Sequence, residues 1–160
     1  FIYRVYIILR NYFYLLYLCK IKKMGHCISV YLMNKSELRD DKINTVLDGK
    51  NKSIQDIKWV DLKEGIIATT HIPNIRDYGK DKTIAKIETD YFGGPGHQTA
   101  KLFINNKKEY DESSELDYTI NPINDVLKMM GVVKKLGNDE FDTIGLGNYR
   151  GNSDFEDDTN

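Results

Sequence analysis

TIAKIETDYFGGPGHQTAKLFIN, residues 83–105, holds the clearest strand alternation in the chain and its densest glycine cluster. On an extended backbone Ala85, Ile87, Thr89 and Tyr91 fall on one side, and Lys86, Glu88 and Asp90 on the other. Past the glycines, Ala100, Leu102 and Ile104 alternate with Thr99, Lys101 and Phe103. Two such runs predict a β-hairpin with one buried and one wetter face. The connector Gly93-Gly94-Pro95-Gly96 is too long for a two-residue turn. A wider loop is expected, using backbone conformations that glycine enters without steric cost.

Outward from the hairpin, residues 107–117 read as an acidic loop, and the strongest helix signal follows. Asn121 is placed to cap, Pro122 suits the first helical position, and Gly131 suits the residue past the end. Ile123, Val126, Leu127 and Met130 form a stripe for a helix lying across a sheet face. Residues 139–147 predict a short helical turn and loop with Phe141, Ile144 and Leu146 inward. Residues 151–160 carry four acids and no base, which predicts a disordered acidic tail. Upstream, residues 26–33 form a first strand, and Ser36 opens a helix over Leu38, Ile43, Val46 and Leu47 that ends before Gly49. A strand starts at Ile57, a turn falls at residues 63–65, and a further strand from Ile66 stops at Pro73. Trp59 reads as a core anchor, and residues 74–82 as an exposed connection pivoting on Gly79.

The 160 residues fit one domain with a core that needs neither disulfides nor metals. The net charge of −1 hides a segregation. Residues 1–23 hold Arg4, Arg10, Lys20, Lys22 and Lys23 and no acid, leaving 18 bases against 24 acids in residues 24–160, a balance of −6. An acidic domain of this kind argues against a nucleic-acid partner. Residues 1–23 also hold five of the 11 tyrosines, and Arg10 and Asn11 interrupt their apolar run. They read as a non-native upstream extension, with a helical anchor as the alternative; without such an anchor no membrane association is expected. Cys19 and Cys27 make no disulfide framework, which fits a reducing compartment and a cytoplasmic location.

Chemistry-bearing residues concentrate at the hairpin mouth. Asp90, Tyr91, Gly93, Gly94, Gly96, His97 and Gln98 are the candidate binding or loop-shaping residues. His97 near Asp90 or Tyr91 is a conceivable acid–base pair, while loop-bracing by His97 and Gln98 is the plainer role. The glycines do not form a phosphate loop, because the connector runs strand to strand and includes a proline without an N–H. His26, His71 and His97 lack metal-ligand spacing, and Cys27 reads as a packed thiol in an apolar strand. No metal and no cofactor are expected.

The run Thr89-Asp90-Tyr91-Phe92-Gly93-Gly94-Pro95-Gly96-His97-Gln98-Thr99-Ala100 resembles a T-x-Y-F-G-G-x-G-x-Q-x-A signature in small bacterial proteins of unknown function. A distal D-E-F-D-x-I-G-L-G-x-Y-R is similar to Asp139-Glu140-Phe141-Asp142, Ile144-Gly145-Leu146-Gly147 and Tyr149-Arg150, and the Asn121-Pro122-Ile123-Asn124 helix start matches as well. The resemblance covers residues 59–150 and leaves out 1–23. It carries no established activity; some such proteins look like members of toxin–immunity or antiphage neighbourhoods.

The expected architecture is one α+β domain over residues 24–150. Its mainly antiparallel sheet has four or five strands, with two helices packed on one face. The expected role is non-catalytic binding, in its sharpest form an immunity-like inhibitor meeting a basic protein partner such as a toxin. It would act through an acidic surface and the 93–98 hairpin tip. The alternative is an unrecognised enzyme or small-ligand binder using Asp90, His97 and Gln98.

Overall fold

The hairpin supplies two adjacent strands of a six-stranded sheet. The computed structural model describes residues 25–38, 46–47, 50–51, 57–91, 96–114 and 119–157. Its strands are β1 (His26–Asn34), β2 (Val46–Leu47), β3 (Lys50–Asn51), β4 (Val60–Asp61), β5 (Ile66–Thr69), β6 (Thr83–Tyr91), β7 (Gly96–Ile104) and β8 (Lys107–Ser113). The main sheet runs β4-β5-β1-β6-β7-β8 with every neighbouring pair antiparallel, and β2 and β3 form a separate small ladder. Four short helices lie among the described residues: α1 (Ile75–Tyr78), α2 (Pro122–Met129), α3 (Glu140–Thr143) and α4 (Asn152–Asp157). The architecture is α+β and open-sheeted, with more strands and more helices than the sequence indicates.

Period-two alternation sets the two faces. On the first face Ile28, Val30 and Leu32 of β1, Ala85 and Ile87 of β6, and Ala100 and Leu102 of β7 are buried in one cluster. The α2 stripe of Ile123, Val126 and Leu127, together with Met130, closes over them as its spacing predicts. The Asn121 side chain makes no capping bond, and Gly131 at φ 89° ends the helix where a side chain would be strained. On the second face Met33, Ile67, Ile72, Ile84 and Tyr78 form a smaller cluster. All four residues of β5 are buried because both faces are covered there. Trp59 is half-buried in this second cluster and stacks on Tyr78.

Several expectations are corrected. Helices do not occupy one face only, since α1 supplies Tyr78 to the second cluster. Residues 74–82 are thus exposed only in part: Asn74, Arg76, Asp77, Lys80 and Asp81 face solvent, while Tyr78, Gly79 and Lys82 are buried. Gly79 sits so close to Asn106 and to the Ile75 carbonyl that a Cβ would collide with them. No helix starts at Ser36, which lies in a 3-10 turn (Lys35–Glu37), and Val46–Leu47 pair as strand with Lys50–Asn51. The rest of that expected helix lies outside the described residues. The acidic loop is largely strand β8, reached through Asn105 and Asn106, both at positive φ, a two-residue hairpin turn. Its charged outer edge discourages further strand pairing.

The tail expected to be disordered folds at least to Asp157. Phe155 on α4 is 2% exposed and stacks on Tyr149, with ring centroids 4.1 Å apart. The physical cause lies in β1, whose outer edge pairs with β5 only from Tyr31 to Asn34. Past that point the Cys27 N–H donates to the Arg150 carbonyl (2.9 Å) and Cys27 bridges Gly151 in parallel. The Ser29 N–H donates to the Asn152 side chain (2.8 Å). The chain from residue 150 thus satisfies backbone groups that a free edge would leave to water. Residues 158–160 and 1–23, and with them the expectations for those segments, lie outside the described residues. Among the described residues no helix is long and apolar enough to cross a membrane.

Candidate functional site at the hairpin end

Hairpin register decides which candidate side chains meet. Tyr91 pairs with Gly96, Asp90 with His97, and Thr89 with Gln98. Asp90 and His97 therefore lie directly opposite each other on the second face, as the acid–base idea requires. Gln98 is one residue on and points to the first face. The three proposed partners do not converge. Gly96 is needed for a different reason than loop shape: a Cβ there would run into the Asp90 carbonyl and the Tyr91 backbone, so the strands close only over glycine. Tyr91 and His97 are half-buried and Asp90 is exposed. Gly93 and Gly94, with Phe92 and Pro95, lie outside the described residues.

On the second face the row extends to β1, because Cys27 pairs with Asp90. Cys27 is exposed, which corrects the packed-thiol expectation: parity puts it on the polar side, between the buried His26 and Ile28. Cys27, Asp90 and His97 stand in line on three strands, each about 4.8 Å from the next. A relay for a nucleophile needs the histidine between thiol and acid. Here the acid is in the middle and the thiol is two strands from the ring. Among the described residues no group of three His, Cys, Asp or Glu side chains could hold a metal ion.

The next row is more tightly knit. Glu88 accepts from the Ser29 hydroxyl (2.9 Å) and the Thr99 hydroxyl (3.2 Å), and Lys86 donates to Ser29 Oγ (2.7 Å). The Lys86 ammonium also lies over the Tyr31 ring, 4.5 Å from its centroid. Burial lowers the Lys86 pKa, partly offset by Glu88. Alternation had placed Glu88 on the polar face, but its two hydroxyl partners sit 59 and 11 residues away and no local spacing points to them.

The first face at this end is a buried polar cluster. His26 Nε2 lies 3.4 Å from the Leu146 carbonyl, which can only accept, so Nε2 carries the proton. Nδ1 lies 2.7 Å from Thr89 Oγ1, whose single proton is also within reach of the His26 carbonyl at 3.3 Å, and Thr89 Oγ1 receives the Ile28 N–H at 3.2 Å. The ring rests against Phe141, with centroids 5.3 Å apart. Burial pushes the His26 pKa below its ordinary 6.5; the Leu146 hydrogen bond and Asp154 oppose that shift and Arg150 adds to it. Beside Thr89, the Gln98 backbone exchanges hydrogen bonds with Ser114, while its buried Oε1 accepts none among the described residues.

These contacts join the three separated motifs. Asn124 Oδ1 accepts from the Phe141 N–H and its amide donates to Asp139, both at 3.0 Å. Asp139 in turn caps α3 by accepting from the Asp142 N–H at 2.8 Å. Thr89 and His26 then tie the hairpin to Leu146. The side chains of Thr89, Asn124 and Asp139 thus have structural roles. No family model matches this chain, and neither a curated protein nor a solved structure is similar enough to count as a match.

Proposed function

We propose that this protein is a non-catalytic binding protein whose hairpin end receives a basic partner, with an immunity-like inhibitor of a toxin as the sharpest form. The observation that supports the reading is the gathering of carboxylates there. Glu88 and Asp90 are exposed on the open face, and Asp154, Glu156 and Asp157 lie on α4, anchored beside Ser29. Arg150, the half-buried Lys86 and the exposed Lys101, which stands across from Lys86 and pairs with Asp111, are bases set against them. Two hydroxyls hold the Glu88 carboxylate in place, so it meets a cation without first being ordered. Complementary charge of this kind steers encounter and selects against acidic partners. The motif resemblance to proteins of toxin–immunity neighbourhoods points the same way.

The test is a pull-down with a basic toxin encoded beside this chain, repeated with Glu88→Lys and Asp90→Lys together. A complex weakened on the order of tenfold by the double change, and by salt, is expected. Absence of a complex, or one indifferent to the change, refutes the reading. The enzyme or small-ligand alternative retains one favourable observation, Asp90 facing His97, and is opposed by Gln98 lying on the other face.

A further inference from the structure

We infer that the loop after α2 is a contact site for an anionic phospholipid surface. The large hydrophobic side chains left exposed among the described residues are Leu38, Ile104, Met129, Val133 and Leu136. All lie at the end of the sheet away from the hairpin mouth. Glu37, next to Leu38, accepts from the Thr83 N–H, and Thr83 pairs with Ile104. The Asn34 side chain donates to the Met130 carbonyl, and Lys135 pairs with Glu64 in the turn before β5. The clustering is spatial, since these residues span almost a hundred positions of sequence.

Two of them stand out. Val133 is 79% exposed and Leu136 106%, so neither contributes to the core. They sit in a loop bounded by Gly131 and Gly137, both at positive φ. The loop is held from beneath: the Lys135 N–H donates to the buried Thr143 hydroxyl (3.0 Å) and the Asn138 N–H to the Lys135 carbonyl (3.0 Å). The result is a braced projection with bare apolar tips. Lys134 and Lys135 lie between those tips in the loop, and Lys128 lies in the last turn of α2. Lys128 pairs with Asp125 and Lys135 with Glu64, whereas Lys134 makes no ion pair among the described residues.

Shape and charge together choose the occupant. A convex tip with single apolar side chains needs a matching pocket in a folded partner, but a fluid interface closes around it unaided. Lysines beside apolar side chains suit the headgroup region of an acidic leaflet. The uncompensated Lys134 opposes face-to-face pairing with a second copy. The contact is peripheral and at the opposite end from the proposed protein site, so either proposal can fail alone.

Flotation of the full chain with phosphatidylcholine vesicles, with and without about a third phosphatidylserine, tests the idea. Binding to the anionic vesicles is expected, falling on the order of tenfold for Val133→Ser with Leu136→Ser, and several-fold for Lys134→Glu or in high salt. Thermal melts of these variants should match the parent, because the substituted side chains are exposed. Three results overturn the proposal: no binding to anionic vesicles, equal binding without phosphatidylserine, or binding that the double serine change leaves intact. The last would assign the contact to another part of the chain, such as apolar and basic residues 1–23. Capture by immobilised polyglutamate through the same loop, with vesicles ignored, would assign it to an acidic protein and overturn it too.

Discussion

The two ends of the sheet are made from the same strands and differ in what they turn inward. At the hairpin end polar groups are inside: His26, Thr89 and Asn124 are buried and bonded, and the surface carries Glu88, Asp90 and the acids of α4. At the opposite end apolar groups are outside: Val133, Leu136 and Met129 face water among lysines. Strand alternation cannot produce this contrast, because it distinguishes faces and not ends. The connections do it. Residues 139–157 fold back over one end and bring hydrogen-bonding groups with them, while the short loop after α2 leaves the other end bare.

The contrast can be broken at its best-packed point first. Phe155→Ala should remove the stacking on Tyr149 and cost about 3–5 kcal/mol in urea unfolding, loosening the hairpin end. If the cost is near zero, α4 does not cover that end and the comparison fails. Asn124→Ala comes next, at about 1–3 kcal/mol, since it orphans the Phe141 N–H and frees the Asp139 cap. Circular dichroism melts would register it.

A smaller, pH-dependent effect belongs to His26. Its folded pKa is lowered by burial, so the unfolded chain takes up the proton first as pH falls. The stability held above pH 6.5 should therefore decline as pH drops from 6.5 toward the folded value, then level off. His26→Gln should remove that slope in melts taken across the range; an unchanged slope would show that His26 is not its source. Smallest of all, Leu136→Ala should alter stability by less than about 0.5 kcal/mol, because the side chain is already solvated. A larger loss would mean that the opposite end is less bare than its exposure indicates.

Legibility in the sequence followed the range of the forces involved. The hairpin and α2 could be read because alternation and the 3.6-residue stripe are local patterns. Strand β8 escaped because Lys107, Lys108, Glu109, Asp111 and Glu112 crowd a lone inward Tyr110, and a bulge breaks its register. The Asn105-Asn106 turn was the available signal. Helix α4 escaped because six residues with one apolar side chain have no periodicity, and their order comes from an edge more than a hundred residues earlier. The candidate site was half legible. Counting back from the Gly93–Gly96 connector sets Asp90 opposite Thr99, because Gly96 in fact belongs to β7 and pairs with Tyr91, but strand parity already puts Gln98 on the other face from Asp90 and His97. The burial of His26 rests on contacts 63 and 120 residues away, which no spacing announces.

The divided edge of β1 also bears on how the molecule comes into being during synthesis. β1 is made more than a hundred residues before 150–152, yet half of its outer edge waits for them. Until they leave the ribosome, the nascent chain carries unpaired backbone on a strand with a largely apolar inner face, a template for pairing with another chain. A ribosome that pauses between β8 and residue 150 would hold the sheet with that half-edge open. The protection of that half-edge is therefore set by how soon residues 150–152 follow the strands.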